Sequence, residues 1–199
     1  MLPLLSVQSL LRLFCEMITQ KGDLLVDATV GNGHDTLFLA ELACKHNGFV
    51  IGFDIQQKAI ESTKKRVEGF SNVSLILGSH TEFARYLKPN TVGLIVYNLG
   101  YLPSGEKSIT TLASTTLQSI RSGLDLLREG GGIAVTCYSG HPEGVKEIEA
   151  LKGFLHTLDP KKFGVTWTNW ENRNLCPSVV LIQGLKQSVN KRDLKSLED

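Results

Sequence analysis

The residues best suited to chemistry lie in the stretch 27–36, Asp-Ala-Thr-Val-Gly-Asn-Gly-His-Asp-Thr, and in an acid that follows it. Three apolar residues lead into this stretch, Gly31 and Gly33 lie within it, and a helical apolar pattern comes next. This order predicts a strand, a turn whose backbone can approach a ligand, and a helix. The next apolar run, 49–53, ends on Asp54, and a second parallel strand would deliver that carboxylate to a ribose. Together the two features predict a nucleoside-cofactor site.

The turn itself indicates which nucleoside it binds. The third glycine of a dinucleotide-binding turn allows the helix to pack beside the pyrophosphate, and Thr36 holds that position here. S-adenosylmethionine has no pyrophosphate, so a wider polar turn can face its methionine tail, and Asp27 would suit the ammonium of that tail. An ordinary βα turn is the alternative, because lone glycine motifs are common. The predicted cofactor contacts in this region are Asp27, Gly31, Asn32, Gly33, Asp35, Thr36, Asp54 and Gln56.

Polar residues also follow the fourth predicted strand, and ligands of open α/β sheets bind outside the carboxyl ends of strands. We therefore expect Asn98 and Tyr101 beside the methyl group of the cofactor, with Leu99 and Gly100 contacting the substrate. Amine-directed nucleic-acid methyltransferases share this placement in an Asn-Pro-Pro-Tyr loop. There an amide oxygen and backbone carbonyls accept hydrogens from the target nitrogen, and an aromatic ring stacks on the base. The proline pair is absent here, and a simple turn after a buried strand is the alternative.

Two more positions open on the same edge of the predicted sheet. Ser79 and His80 follow the third strand, where an adenine ring usually lies, although they would also suit a polar turn. His141 follows the fifth strand. Its unperturbed pKa of about 6.5 suits it to take a proton from an ammonium nucleophile. A phosphate contact and a helix cap fit its position equally well.

Composition limits the classes of function. With 199 residues and 42% hydrophobic content, the chain is long enough for one well-buried domain and short for two. The formal net charge of +1 gives no strong field for a polyanion, so any nucleic-acid contact must be local. The four cysteines are scattered without metal-ligand spacing, and we expect reduced thiols and no metal. Without a signal peptide or a run of roughly 20 apolar residues, the sequence predicts a cytoplasmic protein that does not contact membranes.

Strands and helices alternate along the chain, which predicts an α/β fold with helices on both faces of a mostly parallel sheet. The predicted strands are 24–28, 49–54, 73–78, 92–97 and 133–138, the predicted helices are 35–45, 56–68, 110–129 and one that starts at Pro142, and the C-terminal runs 163–172 and 178–185 favour an antiparallel hairpin. This pattern fits the Rossmann-like, seven-stranded sheet of class I methyltransferases. We expect residues 1–199 to form a single domain, with an N-terminal helix in residues 1–20 and a polar tail at 187–199.

Three motifs together resemble those of one family. They are residues 27–36, the run Asn-Leu-Gly-Tyr-Leu-Pro at 98–103 with Lys107 shortly after, and Tyr-x-Gly-His-Pro-Glu-Gly at 138–144. Their joint occurrence resembles the MnmM family, the YtqB-like methyltransferases labelled rRNA methylases, over nearly the whole chain. One departure is at residues 175–177, Leu-Cys-Pro, where the family tends to have paired prolines.

The resemblance implies a tRNA methyltransferase that converts S-adenosylmethionine to S-adenosylhomocysteine and needs no metal. Its implied target is the 5-aminomethyl nitrogen of 5-aminomethyl-2-thiouridine at wobble position 34 in the anticodon loop, giving 5-methylaminomethyl-2-thiouridine. In this scheme Asn98 orients the amine, Tyr101 holds the base, and His141 removes a proton or contacts RNA. Lys107 and Arg173 would touch phosphates, with an ordinary solvated surface as the alternative, and a homodimer would offset the low net charge. An rRNA target and a small-molecule amine are the alternatives, and the near-neutral charge favours the latter.

Overall fold

The structure is a computed structural model that describes residues 6–101, 110–170, 172–173 and 176–185. Lys107 and the predicted tail at 187–199 lie outside these ranges. The helices are α1 (Val7–Ile18), α2 (His34–Lys45), α3 (Gln57–Arg66), α4 (Ala113–Leu126) and α5 (Pro142–Leu155), with a 3-10 helix at His80–Arg85. The strands are β1 (Leu24–Asp27), β2 (Phe49–Asp54), β3 (Val73–Leu77), β4 (Val92–Asn98), β5 (Leu127–Cys137), β6 (Phe163–Thr168) and β7 (Ser178–Gly184). The helix predicted within the first twenty residues is α1.

The seven strands form one sheet in the order β3-β2-β1-β4-β5-β7-β6. Strands β1 to β5 pair in parallel, whereas β7 is antiparallel to both β5 and β6. This confirms the predicted mostly parallel sheet with a C-terminal antiparallel hairpin. The strand order reverses at the β1–β4 pair, and the loops that follow such a pair diverge and leave a crevice. The candidate site residues follow the strands that end at this crevice.

Apolar side chains cover both faces of the sheet. On one face, Phe53 and Tyr97 of the strands pack in a cluster with Ile120 of α4. On the other face, Leu94 packs in a cluster with Leu39 of α2. The central strands read as continuous apolar runs because both of their faces are buried. None of the helices that the structure describes combines the length and the apolar character needed to cross a bilayer.

The start of β5 differs from the prediction. We expected a helix over 110–129 that stops at three glycines, 130–132, but α4 ends at Leu126 and the strand follows at once. A Cβ atom at Gly132 would lie 2.7 Å from Cζ of Phe14 in α1 and 2.8 Å from a carbonyl oxygen of β7. Glycine is therefore required because α1 and β7 approach the strand closely, and not because a helix ends there.

Candidate functional site

A cavity opens at the carboxyl edge of the sheet, where β1, β2, β4 and β5 end. Its volume is about 740 Å³. The predicted site residues that line it are Gly31, Asn32, Asp35, Asp54, Gln56, Ser79, His80, Asn98, Leu99, Gly100, Tyr101 and His141. The parallel sheet thus brings residues that are distant in sequence to one place.

Some predicted site residues are not part of the cavity wall. Among the described residues these are Asp27, Gly33, Thr36 and Arg173. The guanidinium of Arg173 lies over the ring of Trp170, 4.6 Å from its centroid. Lys107 falls outside the part of the chain that the structure describes.

Asp27 lies beneath the turn and not on its ligand side. Its side chain is 1% exposed, and its two carboxyl oxygens accept hydrogen bonds from Thr36 Oγ1 at 2.6 Å and from the Thr29 N–H at 3.1 Å. Burial, with the nearby charge of Asp35, raises the pKa of Asp27 to about 7. The expected contact with a ligand ammonium does not fit this placement. Asp27 instead joins the end of β1 to the first turn of α2.

Asp54 holds the glycine-containing turn in place. One carboxyl oxygen accepts from the Gly31 N–H at 2.9 Å, and the other accepts from the Gln56 N–H at 2.9 Å. Burial raises the pKa of Asp54. A carboxylate oxygen has a second lone pair, so a carboxylate fixed in this way can also accept a hydroxyl. Its position on the cavity wall suits the diol of a ribose.

Helix α3 supports the same turn from the other side. Thr63 Oγ1 donates to the Gly31 carbonyl at 3.2 Å, and Arg66 Nε donates to the Asn32 carbonyl at 2.7 Å. Gly33 has a left-handed φ of 79° and passes so close to α3 that a Cβ atom would lie 2.5 Å from Thr63 Oγ1. Gly33 is thus needed for backbone shape and for close packing, and Gly31 also has a left-handed φ, of 52°.

His80 provides an uncharged polar group on the cavity wall. The residue is 9% exposed, and its Nδ1 atom has no hydrogen-bond partner among the described residues. Burial lowers the pKa of His80 to about 4, so the ring is neutral at pH 7. His80 therefore lines the cavity as an uncharged ring, which suits a neighbouring apolar or aromatic ligand group.

Asn98 lines the cavity as part of a polar rim at the end of β4. Its N–H donates to Thr29 Oγ1 at 2.7 Å, and its side-chain Nδ2 donates to Asp35 Oδ2 at 3.1 Å. A carboxylate only accepts hydrogen bonds, so Asp35 fixes which end of the amide faces it. Tyr138 also makes a side-chain hydrogen bond with Asn98, and burial raises the pKa of that tyrosine. The ends of β4 and β5 and the start of α2 thus supply one hydrogen-bonded set of polar side chains, Asn98, Tyr138 and Asp35.

His141 is the N-cap of α5. Its Nδ1 atom accepts the Gly144 N–H at 3.0 Å, and its ring lies 5.7 Å from that of Tyr101. Because Nδ1 is an acceptor, the neutral ring carries its proton on Nε2, and that nitrogen can donate but cannot take a proton. Nε2 is buried and has no partner among the described residues. The helix-cap alternative is confirmed, whereas removal of a substrate proton by His141 does not fit this geometry.

Sequence reasoning missed a buried acid next to this rim. Glu147 in α5 is 2% exposed, whereas Val145 in the same helix is 42% exposed. The buried positions of α5 are Gly144, Glu147, Leu151, Phe154 and Leu155. These positions recur at helical spacing and so indicate the buried side of the helix. A search for apolar residues alone misses the pattern, because one of its positions is a glutamate. No group of three or more His, Cys, Asp or Glu side chains within the described ranges could hold a metal ion.

Comparisons with known proteins add independent findings. A family model described as "Putative rRNA methylase" matches residues 50–183. A protein from Arabidopsis thaliana named tRNA (mnm(5)s(2)U34)-methyltransferase, chloroplastic, is 35% identical over 178 residues, which cover 84% of this chain and 65% of that protein. The chain thus spans slightly less than two thirds of the length of this relative.

Two solved structures resemble the chain closely. A "putative rRNA-methylase" from Clostridium thermocellum superposes with a TM-score of 0.88 and 39% identity, over 92% of this chain and 100% of that chain. A "putative methyltransferase" from Streptococcus mutans superposes with a TM-score of 0.81 and 35% identity, over 89% of this chain and 97% of that chain. The second structure is a complex with SAH, so a relative of this fold binds the product of the expected cofactor.

Proposed function

Because this chain belongs to the rRNA methylase family and has the class I methyltransferase fold, we propose that it is an S-adenosylmethionine-dependent enzyme that methylates tRNA. The proposed target is the 5-aminomethyl nitrogen of 5-aminomethyl-2-thiouridine at wobble position 34, which matches the name of the Arabidopsis relative. One observation carries the proposal. A single cavity joins the glycine-containing turn and Asp54 to a polar rim formed by Asn98 and its neighbours.

The polar groups on the cavity wall fit S-adenosylmethionine. The Asp54 carboxylate suits the ribose diol as an acceptor, and the neutral ring of His80 suits the adenine ring. The turn at Gly31 and Asn32 would face the methionine tail. When bound, this cofactor supplies an electrophilic methyl group on a sulfonium.

The task of the chain is then to hold the substrate amine in its neutral form and to orient it. Asn98, fixed by Asp35 and bonded to Tyr138, supplies polar contacts for the amine nitrogen. Withdrawal of the amine from water lowers its pKa, and proximity in the cavity supplies much of the rate. Tyr101 would stack on the base, and His141, which lies on the cavity wall beside Tyr101, would contact the RNA. This assignment replaces proton removal by His141.

RNA contacts outside the cavity belong to the same proposal. Unpaired bases are usually read by aromatic stacking and by cations near the backbone. Arg173 over Trp170 offers both, and Lys107 remains a further predicted phosphate contact. A single domain over 1–199, a homodimer and a cytoplasmic location are part of the proposal, although the Arabidopsis relative is chloroplastic by name.

Methyl transfer to tRNA from a strain that lacks this modification tests the function, with nucleoside mass spectrometry as the measurement. We expect one added methyl group on the wobble nucleoside. Asp54→Asn should abolish transfer and weaken SAH binding in calorimetry by about tenfold or more, because an amide cannot accept from both backbone N–H groups. Asp125→Asn, at an exposed acid of α4, is the matched control and should behave as wild type.

Ribosomal RNA and the free nucleoside serve as parallel substrates. Methyl groups in rRNA alone would overturn the tRNA assignment. Equal turnover of the free nucleoside and of tRNA would favour a small-molecule enzyme. A wild-type protein that binds no SAH would overturn the enzyme assignment itself.

A further inference from the structure

Glu147 is a buried carboxyl that no step of the proposed function uses. It lies in the middle of α5 with 2% of its surface exposed. One carboxyl oxygen accepts from Thr111 Oγ1 at 2.9 Å, and the other accepts from Thr116 Oγ1 at 2.7 Å. Burial of a carboxyl is costly unless it is hydrogen-bonded, and an apolar residue would pack here at lower cost. The position therefore calls for a role beyond packing.

Thr111 connects Glu147 to the substrate rim. The hydroxyl that donates to Glu147 also accepts the Gly100 N–H at 2.8 Å, and the Thr111 N–H donates to the Gly100 carbonyl at 3.0 Å. A hydroxyl has one proton and two lone pairs, so its bond to the acid leaves it correctly oriented to accept from the backbone. Bonds that share a charged acceptor are stronger than isolated neutral ones.

The segment held in this way has an unusual backbone. Gly100 has a φ of +119°, a value that other residues rarely adopt, and it lies between Asn98 and Tyr101. An isolated antiparallel β-bridge pairs Tyr101 with Thr110, the residue directly before Thr111. The conformation of the rim therefore depends on the chain segment that Glu147 orients.

The other partner of Glu147 makes a different connection. Thr116 is 1% exposed within α4 and does not line the cavity. Its bond to Glu147 joins α4 to α5 and does not pass through the rim. Substitution of one threonine or the other therefore distinguishes a role of Glu147 in the rim from a role in helix packing.

We propose that Glu147 is a positioning residue, which acts through Thr111 to hold Gly100 and Tyr101 in the geometry that binds the methyl acceptor. The proposal rests on the proposed function of the same cavity. Its effect should be confined to the acceptor side. Asp54 on the cofactor side is held by Gly31 and Gln56 instead.

The test compares Thr111→Val with Thr116→Val in the full-length chain. Each change removes one hydroxyl that donates to Glu147, and only the first removes the hydroxyl that accepts the Gly100 N–H. Rates are expressed per SAH-binding site from calorimetry, so that loss of folded protein does not count as loss of activity. We expect Thr111→Val to lower kcat/KM for tRNA by about tenfold or more, because small misplacements in a site cost that much. The Kd for SAH should stay within about twofold, and Thr116→Val should stay within about threefold of wild type.

Three further variants complete the design. Thr111→Ser keeps the hydroxyl and should restore kcat/KM to within about threefold of wild type. Glu147→Gln should lower kcat/KM for tRNA, as Thr111→Val does. The double variant that combines these two changes should be no less active than the more affected single variant, because both changes break the same chain of hydrogen bonds.

Equal losses in the two valine variants, or a loss of SAH binding together with activity, would reduce Glu147 to a packing role and overturn the proposal. Methyl transfer by Thr111→Val at the wild-type rate would by itself overturn the proposal. If wild-type protein itself fails to methylate RNA, the proposed function falls and this proposal falls with it.

Discussion

At the scale of single residues, the protonation of Asp27 makes stability depend on pH. Burial raises the pKa of this carboxyl to about 7 from an ordinary value of 3.8. The folded protein thus holds more protons than the unfolded chain between these pH values. The contribution of Asp27 to stability is therefore present below about pH 4 and is lost as the pH rises through 7. In Asp27→Asn this dependence disappears.

We expect the free energy of unfolding of Asp27→Asn to rise relative to wild type by on the order of a few kcal/mol between pH 4 and pH 8. Urea denaturation of both proteins at several pH values measures it. His80 also makes stability depend on pH. Burial lowers the pKa of His80 to about 4, so its contribution to stability is lost as the pH falls from 6.5 towards 4. The difference between variant and wild type is therefore the informative quantity, because His80 is present in both. A difference that stays constant over this range would contradict the placement of Asp27.

The candidate site could be predicted where strand ends decide it. Asp54, His80 and Asn98 were placed at one cavity because the parallel strands before them all end at the same edge. The sequence did not show that Asp27, at the end of its strand, points beneath the turn towards Thr36. That orientation depends on hydrogen bonds across the turn. Glu147 escaped notice because its hydroxyl partners, Thr111 and Thr116, are brought to it only by the packing of α4 and the segment before it on α5.

At the scale of elements, the close packing of α1 on β5 predicts opposite effects of two alanine substitutions. A Cβ atom at Gly132 would meet Phe14, Ile18 and a backbone oxygen of β7 within 2.8 Å. Gly132→Ala should therefore lower the free energy of unfolding by about 1 to 3 kcal/mol, since overpacking forces the backbone to shift. At Gly153, inside α5, no atom of the described residues beyond the helix's own adjoining backbone lies within 4 Å of the added carbon. There alanine should stabilise the protein by about 0.5 to 1 kcal/mol, because it favours the helix.

Chemical denaturation of the two variants measures both effects. A neutral Gly132→Ala would show that α1 is not seated on the strand as described. The contacts at Gly132 also explain why the prediction for the start of β5 was wrong. Three consecutive glycines are typical of a helix stop, and only the position of α1 shows that they serve close approach. The alternation of strands and helices and the C-terminal hairpin were predictable, since they follow from apolar periodicity alone.

At the scale of the whole molecule, the charge of the chain limits how RNA can be bound. The net charge is +1. Several cations are already engaged: Arg85 pairs with Glu82 at 2.6 Å, Lys146 pairs with Glu143 at 2.6 Å, Arg128 pairs with Asp23, and the guanidiniums of Arg12 and Arg121 lie over Phe38 and Phe154. Because 20 Asp and Glu side chains nearly balance the 21 Lys and Arg side chains, the chain has no large excess of positive charge for phosphates. Recognition of tRNA should rest on the cavity more than on a broad basic surface.

This balance predicts a weak salt dependence of tRNA binding. The logarithm of KM for tRNA should rise with the logarithm of salt concentration with a slope of about 1 to 3, since the slope follows the number of phosphates neutralised. Arg173→Ala should reduce that slope by about 1 if its guanidinium meets a phosphate, whereas Arg85→Ala, whose partner is Glu82, should leave it unchanged. The Kd for SAH, measured at the same salt concentrations, should not follow this slope. A slope of about 6 or more would require an extended basic surface, and a slope near zero would favour a small-molecule acceptor, because an uncharged nucleoside releases no counterions on binding.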